Sequence, residues 1–90
     1  MTRESSIEQA CRRHSESRGW LLLKLFPLVA GIPDRVLLRP GGRVDFVEFK
    51  APGRPLQKIQ RFWAARLEGL GFRCWRIDST ADFRETFDVK

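Results

Sequence analysis

Two short stretches, Gly31-Ile32-Pro33-Asp34 and Val47-Glu48-Phe49-Lys50, decide how this chain folds and what it can do. Between them, Arg35 to Arg39, the turn Pro40-Gly41-Gly42 and Arg43 to Phe49 read as two antiparallel strands around a tight glycine-containing turn. Asp34 stands after a proline at the mouth of the first strand, and Glu48 and Lys50 lie two apart in the second. Residues two apart on a strand share a face, so Glu48 and Lys50 are delivered together.

Val44, Phe46, Glu48 and Lys50 alternate with Asp45, Val47 and Phe49, and both sets are largely apolar. This strand is therefore expected at the centre of a sheet, with its charges emerging at one end. Burying unpaired charge is costly, so Glu48 and Lys50 require partners there. A divalent cation supplies one, and Mg²⁺ takes oxygen ligands while keeping several waters. Asp34, Glu48 and the Phe49 carbonyl are the candidate ligands. Two carboxylates sharing a cation beside an ammonium group are what phosphodiester hydrolysis requires.

Outward from this centre, residues 5–17 place Ile7, Ala10, Cys11 and His14 on one helical stripe, with Ser5 or Ser6 as a cap and Gly19 as terminator. Trp20 to Phe26 is apolar enough to predict a strand buried on both faces, interior to a sheet. Pro27 to Pro33 reads as a loop, and Ala51 to Arg54 as a breaker. From Leu56, the residues Ile59, Phe62, Trp63, Leu67 and Leu70 keep helical spacing until Gly71, with Pro55 suited to a first turn. Phe72 to Ile77 predicts a last strand, and Asp78-Ser79-Thr80 a cap for a helix from Ala81 to about Phe87. The order is α-β-β-β-α-β-α, with a β-meander at its core. No repeat or linker divides residues 1–90, which read as a single domain.

The 42% hydrophobic and 31% charged composition, with seven Phe and three Trp, is that of a folded chain. At 90 residues the core is near the lower limit of self-sufficiency, so a partner subunit is a reasonable expectation. Lys and Arg number 17 against 11 acids, giving a formal charge of +6 that makes a polyanion the leading partner class. Cys11 and Cys74 stand apart with no CxxC pair or His cluster, which argues against a zinc site or disulfide framework and for reduced, packed thiols. The apolar run from Trp20 to Ile32 is broken by Lys24 and Pro27 and is too short for a bilayer, so no membrane association is expected. The charged N-terminus lacks a signal peptide's apolar segment, leaving the cytoplasm as the default.

Gly31-Ile32-Pro33-Asp34-Arg35, the hairpin, Val47-Glu48-Phe49-Lys50 with Ala51-Pro52-Gly53, and a glutamine-bearing helix together resemble the VRR-NUC (virus-type replication-repair nuclease) family of the PD-(D/E)xK nuclease superfamily. The resemblance covers nearly the whole chain. It implies an α/β, restriction-endonuclease-like core, a mixed four-stranded sheet flanked by helices. It also implies metal-binding roles for Asp34 and Glu48, a water-orienting role for Lys50, and a site glutamine at Gln60, with Gln57 one turn earlier as competitor. The family's first helix contributes a glutamate, matched by Glu8, with Glu4 as substitute. Lys24 resembles a lysine that precedes the loop, suited to a phosphate or a site acid.

The expected activity is Mg²⁺-dependent endonucleolytic cleavage of DNA, with Mn²⁺ substituting and no small-molecule cofactor. Standalone relatives resemble Holliday-junction resolvases, which implies branched DNA as substrate, a homodimer, and a bacterial, phage or prophage context in DNA repair. A non-catalytic nucleic-acid-binding module of the same fold is the alternative. Lys24, Arg35, Arg54, Lys58 and Arg61 are candidate DNA contacts, with Arg73 and Arg76 in reserve. His14 is expected to be packed or exposed, Asp45 to be an exposed strand residue, Asp78 a cap, and Asp82, Glu85 and Asp88 a solvated helix face. Trp20, Trp63 and Trp75 are expected in core or interface.

Overall fold

A computed structural model describes residues 3–26 and 29–88, so Pro27 and Leu28 of the expected loop lie outside the described residues. The elements run α1 (Glu4–Ser17), β1 (Leu21–Lys24), β2 (Arg35–Arg39), β3 (Arg43–Phe49), α2 (Lys58–Gly69), β4 (Arg73–Ile77) and α3 (Thr80–Phe87). The sheet has the order β1-β2-β3-β4. β1, β2 and β3 pair antiparallel as a meander, and β4 joins β3 in parallel. A parallel pair needs a crossover, and α2 is that crossover, packing on β4. The sheet is therefore mixed and four-stranded with β3 interior, as expected.

One face of the sheet makes the core. Leu22, Leu37, Val47, Phe49 and Ile77 pack against Ile7 and Cys11 of α1 and Phe83 and Phe87 of α3. Phe83 stacks on Phe49 at 6.3 Å between centroids and tilts against Phe87 at 4.8 Å. α3 is capped by Ser79, whose Oγ accepts from the Asp82 amide at 3.0 Å. Asp78, expected as a cap, instead accepts from Arg76 Nη2 at 2.9 Å and from the Gly53 amide at 3.2 Å, tying the link after β3 to β4. α1 starts after Arg3 with no side-chain cap, so Ser5 and Ser6 lie inside the helix rather than capping it. Its end conforms to expectation, with Gly19 at φ +76°. α2 starts at Lys58, after Pro55, because Gln57 and Gln60 form a reciprocal capping box there.

Two other expectations fail for identifiable reasons. β1 is an edge strand, with Leu22 buried but Leu21 54% and Leu23 42% exposed. Its apolar run reflects a sheet face that α2 leaves open, since α2 covers the opposite edge. Asp45 is buried rather than exposed, because it lies on the core face and binds two neighbours there. Its Oδ2 accepts from Arg39 Nη2 and its Oδ1 from Trp75 Nε1, each at 2.9 Å. The Arg39 guanidinium also lies over Trp20 and Phe87, at 5.6 and 5.1 Å from the ring centroids.

Asp88 likewise departs from a solvated role: it lies 3.0 Å from His14 Nε2 and 3.2 Å from Arg18 Nη2, latching the end of α3 to α1. His14 packs edge-on to Trp20 and Phe83. Truncating one partner of a buried pair leaves the other charge uncompensated. Asp45→Ala is therefore expected to cost about 3 kcal/mol in urea unfolding, where an exposed aspartate would cost almost nothing.

Candidate active site

The site forms where β2 begins and β3 ends. Gly31 sits at φ +89°, and a Cβ there would lie 2.6 Å from Ile59 Cγ1, so backbone conformation and packing against α2 both demand glycine. This seats Pro33 as a buried residue and passes Asp34 to the start of β2. The Leu25 amide donates to the Asp34 carbonyl at 2.7 Å, extending the β1–β2 pairing and fixing the backbone of Asp34.

On β3, Val47 and Phe49 enter the core, so alternation sends Glu48 and Lys50 to the α2 side. The Lys50 amide donates to the Ile77 carbonyl at 2.9 Å, continuing the β3–β4 register past Phe49. Phe49 commits its side chain to the core and thus holds its carbonyl between Glu48 and Lys50. Arg35 lies opposite Val47 in register and points toward α1. Its Nη1 pairs with Asp34 Oδ2 at 2.9 Å and its Nε is 3.5 Å from Glu8 Oε1.

Electrostatics identify which groups converge. Burial first, and the nearby negative charge of Asp34 second, push the Glu48 carboxyl up to about 7 against the opposing charge of Lys50. Glu4 adds a smaller repulsion, and Arg35 a smaller attraction. Asp34 and Lys50 are therefore both within reach of the Glu48 carboxyl, with Arg35 and the start of α1 beside them. Of the two α1 acids, Glu4 acts on Glu48, whereas Glu8 meets Arg35 and through it the Asp34 side of the site.

Gln60 and Glu48 line a common cavity of about 350 Å³, walled also by Pro33, Arg61 and Arg76. Gln60 Oε1 accepts from the Gln57 amide at 2.8 Å, while Gln57 turns its side chain to the Gln60 amide. Gln60 thus presents to the cavity from a fixed position at the start of α2. Arg61 donates to the Leu56 carbonyl at 2.7 Å, and Arg76 Nε to the Arg54 carbonyl at 2.6 Å. Lys58 is exposed on α2 and Lys24 on β1; Lys24 pairs in register with Arg35, on the face opposite Glu48.

Among the described residues no three His, Cys, Asp or Glu side chains form a ready-made cage for a metal ion. The donor set nevertheless fits Mg²⁺, which is bound through one or two carboxylates with waters and substrate phosphate filling its octahedron. A half-buried carboxylate facing a second one is short of positive charge, and a dication would supply it.

A mixed sheet carrying an aspartate before its second strand, a Glu-x-Lys at the end of its third and a glutamine on the crossover helix defines a nuclease of the PD-(D/E)xK type. The model of the VRR-NUC domain matches residues 2–80, and the chain belongs to that family. It is 36% identical over 80 residues to "Putative nuclease p44" of Acyrthosiphon pisum secondary endosymbiont phage 1, covering 88% of this chain and 86% of that protein. A solved VRR-NUC domain shares the fold at a TM-score of 0.85 and 21% identity, covering 98% of this chain and 97% of its own.

The clamp made by Arg35 escaped the sequence reading, which gave Arg35 only as a candidate DNA contact; Glu4, offered there as the substitute for Glu8, is the α1 acid that acts on Glu48. An alternation argument assigns Arg35 to the α1 face, but the distance to Glu8 depends on how α1 is docked.

Glu48 yields a pH prediction. Its carboxyl ionises near 4.5 in the unfolded chain but near 7 in the fold, so the native state holds the extra proton and stability falls as pH rises between those values. Metal-free Glu48→Gln should therefore raise the thermal midpoint by several degrees at pH 8 and hardly at pH 4.5. Millimolar Mg²⁺ should remove most of that difference in the parent protein by stabilising the ionised site.

Proposed function

We propose that this chain is a metal-dependent endonuclease that hydrolyses phosphodiester bonds of branched DNA as a homodimer. The observation that carries the reading is that the start of β2 lies beside the end of β3, which brings Asp34 to Glu48 and Lys50, with Asp34 and Lys50 both acting on the half-buried Glu48 carboxyl. Asp34, Glu48 and the Phe49 carbonyl would hold Mg²⁺ or Mn²⁺, and Glu4 or Glu8 of α1 would have to move in to extend the shell. Bound there, the ion would acidify a water and neutralise the attacked phosphate.

Lys50 orients the attacking water and stabilises the negative charge that builds on the phosphoryl oxygens. Water oxygen bonds to phosphorus as the bond to the 3′ oxygen breaks, leaving a 5′-phosphate and a 3′-hydroxyl. The Gln60 side chain, on the cavity wall beside Glu48, offers its amide to a substrate oxygen. Arg61 on the cavity wall, with Arg54 and Lys58 on the segment and helix that precede it, favours approach of a polyanion.

A small domain has little surface for reading base edges, which supports recognition of backbone and shape. Symmetric strands of a four-way junction call for two identical sites, and two-fold pairing is the commonest oligomer. Support for pairing comes from apolar surface left open on α2 and its C-cap, where Ile59 is 45%, Phe62 52% and Leu70 73% exposed, and from Leu21 and Leu23 on β1. The phage relative is consistent with a phage or prophage setting. No helix among the described residues is long and apolar enough to cross a membrane.

Four-way junctions, flaps, single strands and linear duplex incubated with Mg²⁺ should show preferential junction cutting. Asp34→Asn and Lys50→Ala should each lower the rate by at least about 10²-fold while retaining DNA binding. Intact substrate with every divalent ion would remove the enzymatic reading and leave a binding module. Sedimentation should show a dimer that Phe62→Glu weakens; a monomer with and without DNA would remove the paired-site reading.

A further inference from the structure

At the far end of the sheet from Glu48, on the α1/α3 face, the structure builds a second basic site. A cavity of about 560 Å³ opens there, lined by Arg39, Arg43 and Arg73 with Asp45, Trp75 and Thr86 among its walls. Arg43 and Glu48 stand toward opposite ends of β3, about 17 Å apart at strand rise, on opposite faces.

The charges in this cavity do not cancel. Arg39 pairs directly across from Arg43, and Asp45 across from Arg73. Like charges opposite one another destabilise a sheet, and opposite charges stabilise it. Yet the Asp45–Arg73 pair does not close: Asp45 instead turns one oxygen to Arg39 and the other to Trp75. Arg39 is itself immobilised, donating also to the Phe87 carbonyl at 3.2 Å and packed between Trp20 and Phe87.

Arg43 and Arg73 are left exposed at the rim, and among the described residues neither has a carboxylate partner. The cavity thus holds one fixed and two available guanidinium groups against a single carboxylate that is already paired with Arg39. Thr86 lies on the same wall. Planar guanidinium groups match phosphate oxygens with paired N–H donors.

We infer that this cavity is a phosphate-binding site, separate from the nuclease site, in which Arg43 and Arg73 grip the phosphate over a positive floor maintained by Arg39. The phosphate is either that of a polynucleotide backbone held away from the cut or that of a free nucleotide. The site requires no metal, so it stands or falls independently of the nuclease reading.

The test is a titration of the ¹⁵N-labelled full chain in EDTA, where no cleavage occurs, with inorganic pyrophosphate and separately with a short oligothymidylate. Saturable shifts of the Arg43, Arg73 and Thr86 amides are expected, with affinity at least about tenfold weaker in the Arg43→Gln/Arg73→Gln double variant. Both replaced side chains are exposed, and a spectrum otherwise superimposable on the parent's verifies the variant's fold. Arg54→Gln/Arg61→Gln, on the other side of the sheet, should leave these shifts unchanged. Binding of the oligomer in competition with pyrophosphate assigns the site to nucleic acid; binding of pyrophosphate alone assigns it to a free phosphate compound. Amides that stay still with both probes, or equal affinities in parent and double variant, would overturn the proposal.

Discussion

The alternation of side chains along β3 is the constraint on which the site depends. Val47 and Phe49 are almost wholly withdrawn from water against α1 and α3, and the apolar area they bury fixes the strand's register. A slip of one residue would drive Glu48 and Lys50 into that core and expose both apolar side chains. The hydrophobic contacts on one face of the sheet thereby hold the chemical groups on the other. β2 is locked to the same register by Leu37, fully buried opposite Asp45, so Asp34 at its mouth arrives at a defined place.

From that placement follows an electrostatic imbalance. Two carboxylates face each other in a partly desolvated site, and the cations nearest them do not fully offset the cost. Arg35 occupies the Asp34 side and Lys50 the Glu48 side. A metal-free fold of this kind pays in stability for a site that is ready to receive positive charge, a common arrangement where function and folding compete. Gly31 shows the same economy: with the Ile59 side chain against it, the loop carrying Asp34 is seated directly on α2, the helix that carries Gln60.

Much of this was legible in the sequence because it rests on local periodicity. The hairpin, the interior position of β3, the shared face of Glu48 and Lys50 and the order of elements all follow from spacing two and spacing three to four. What escaped depends on which neighbours cover a residue. The apolar run of β1 suggested an interior strand, but burial is set by α2 lying over β4, which composition does not encode. Asp45 looked like a surface acid because its partners, Arg39 and Trp75, come from adjacent strands, and Trp75 is thirty positions away. Glu4 and Glu8 lie one turn apart on α1, so only the docking of that helix decides which meets Glu48 and which meets Arg35.

The account's central claim is that Asp34 and Glu48 share a cation. Crystals of the protein grown with Mn²⁺ would test it most directly through anomalous scattering. The account predicts a peak bonded to carboxylate oxygens of both residues at about 2.1–2.3 Å, lost in Glu48→Gln. Well-ordered Asp34 and Glu48 with no peak between them at saturating Mn²⁺, or a peak bound elsewhere, would contradict it.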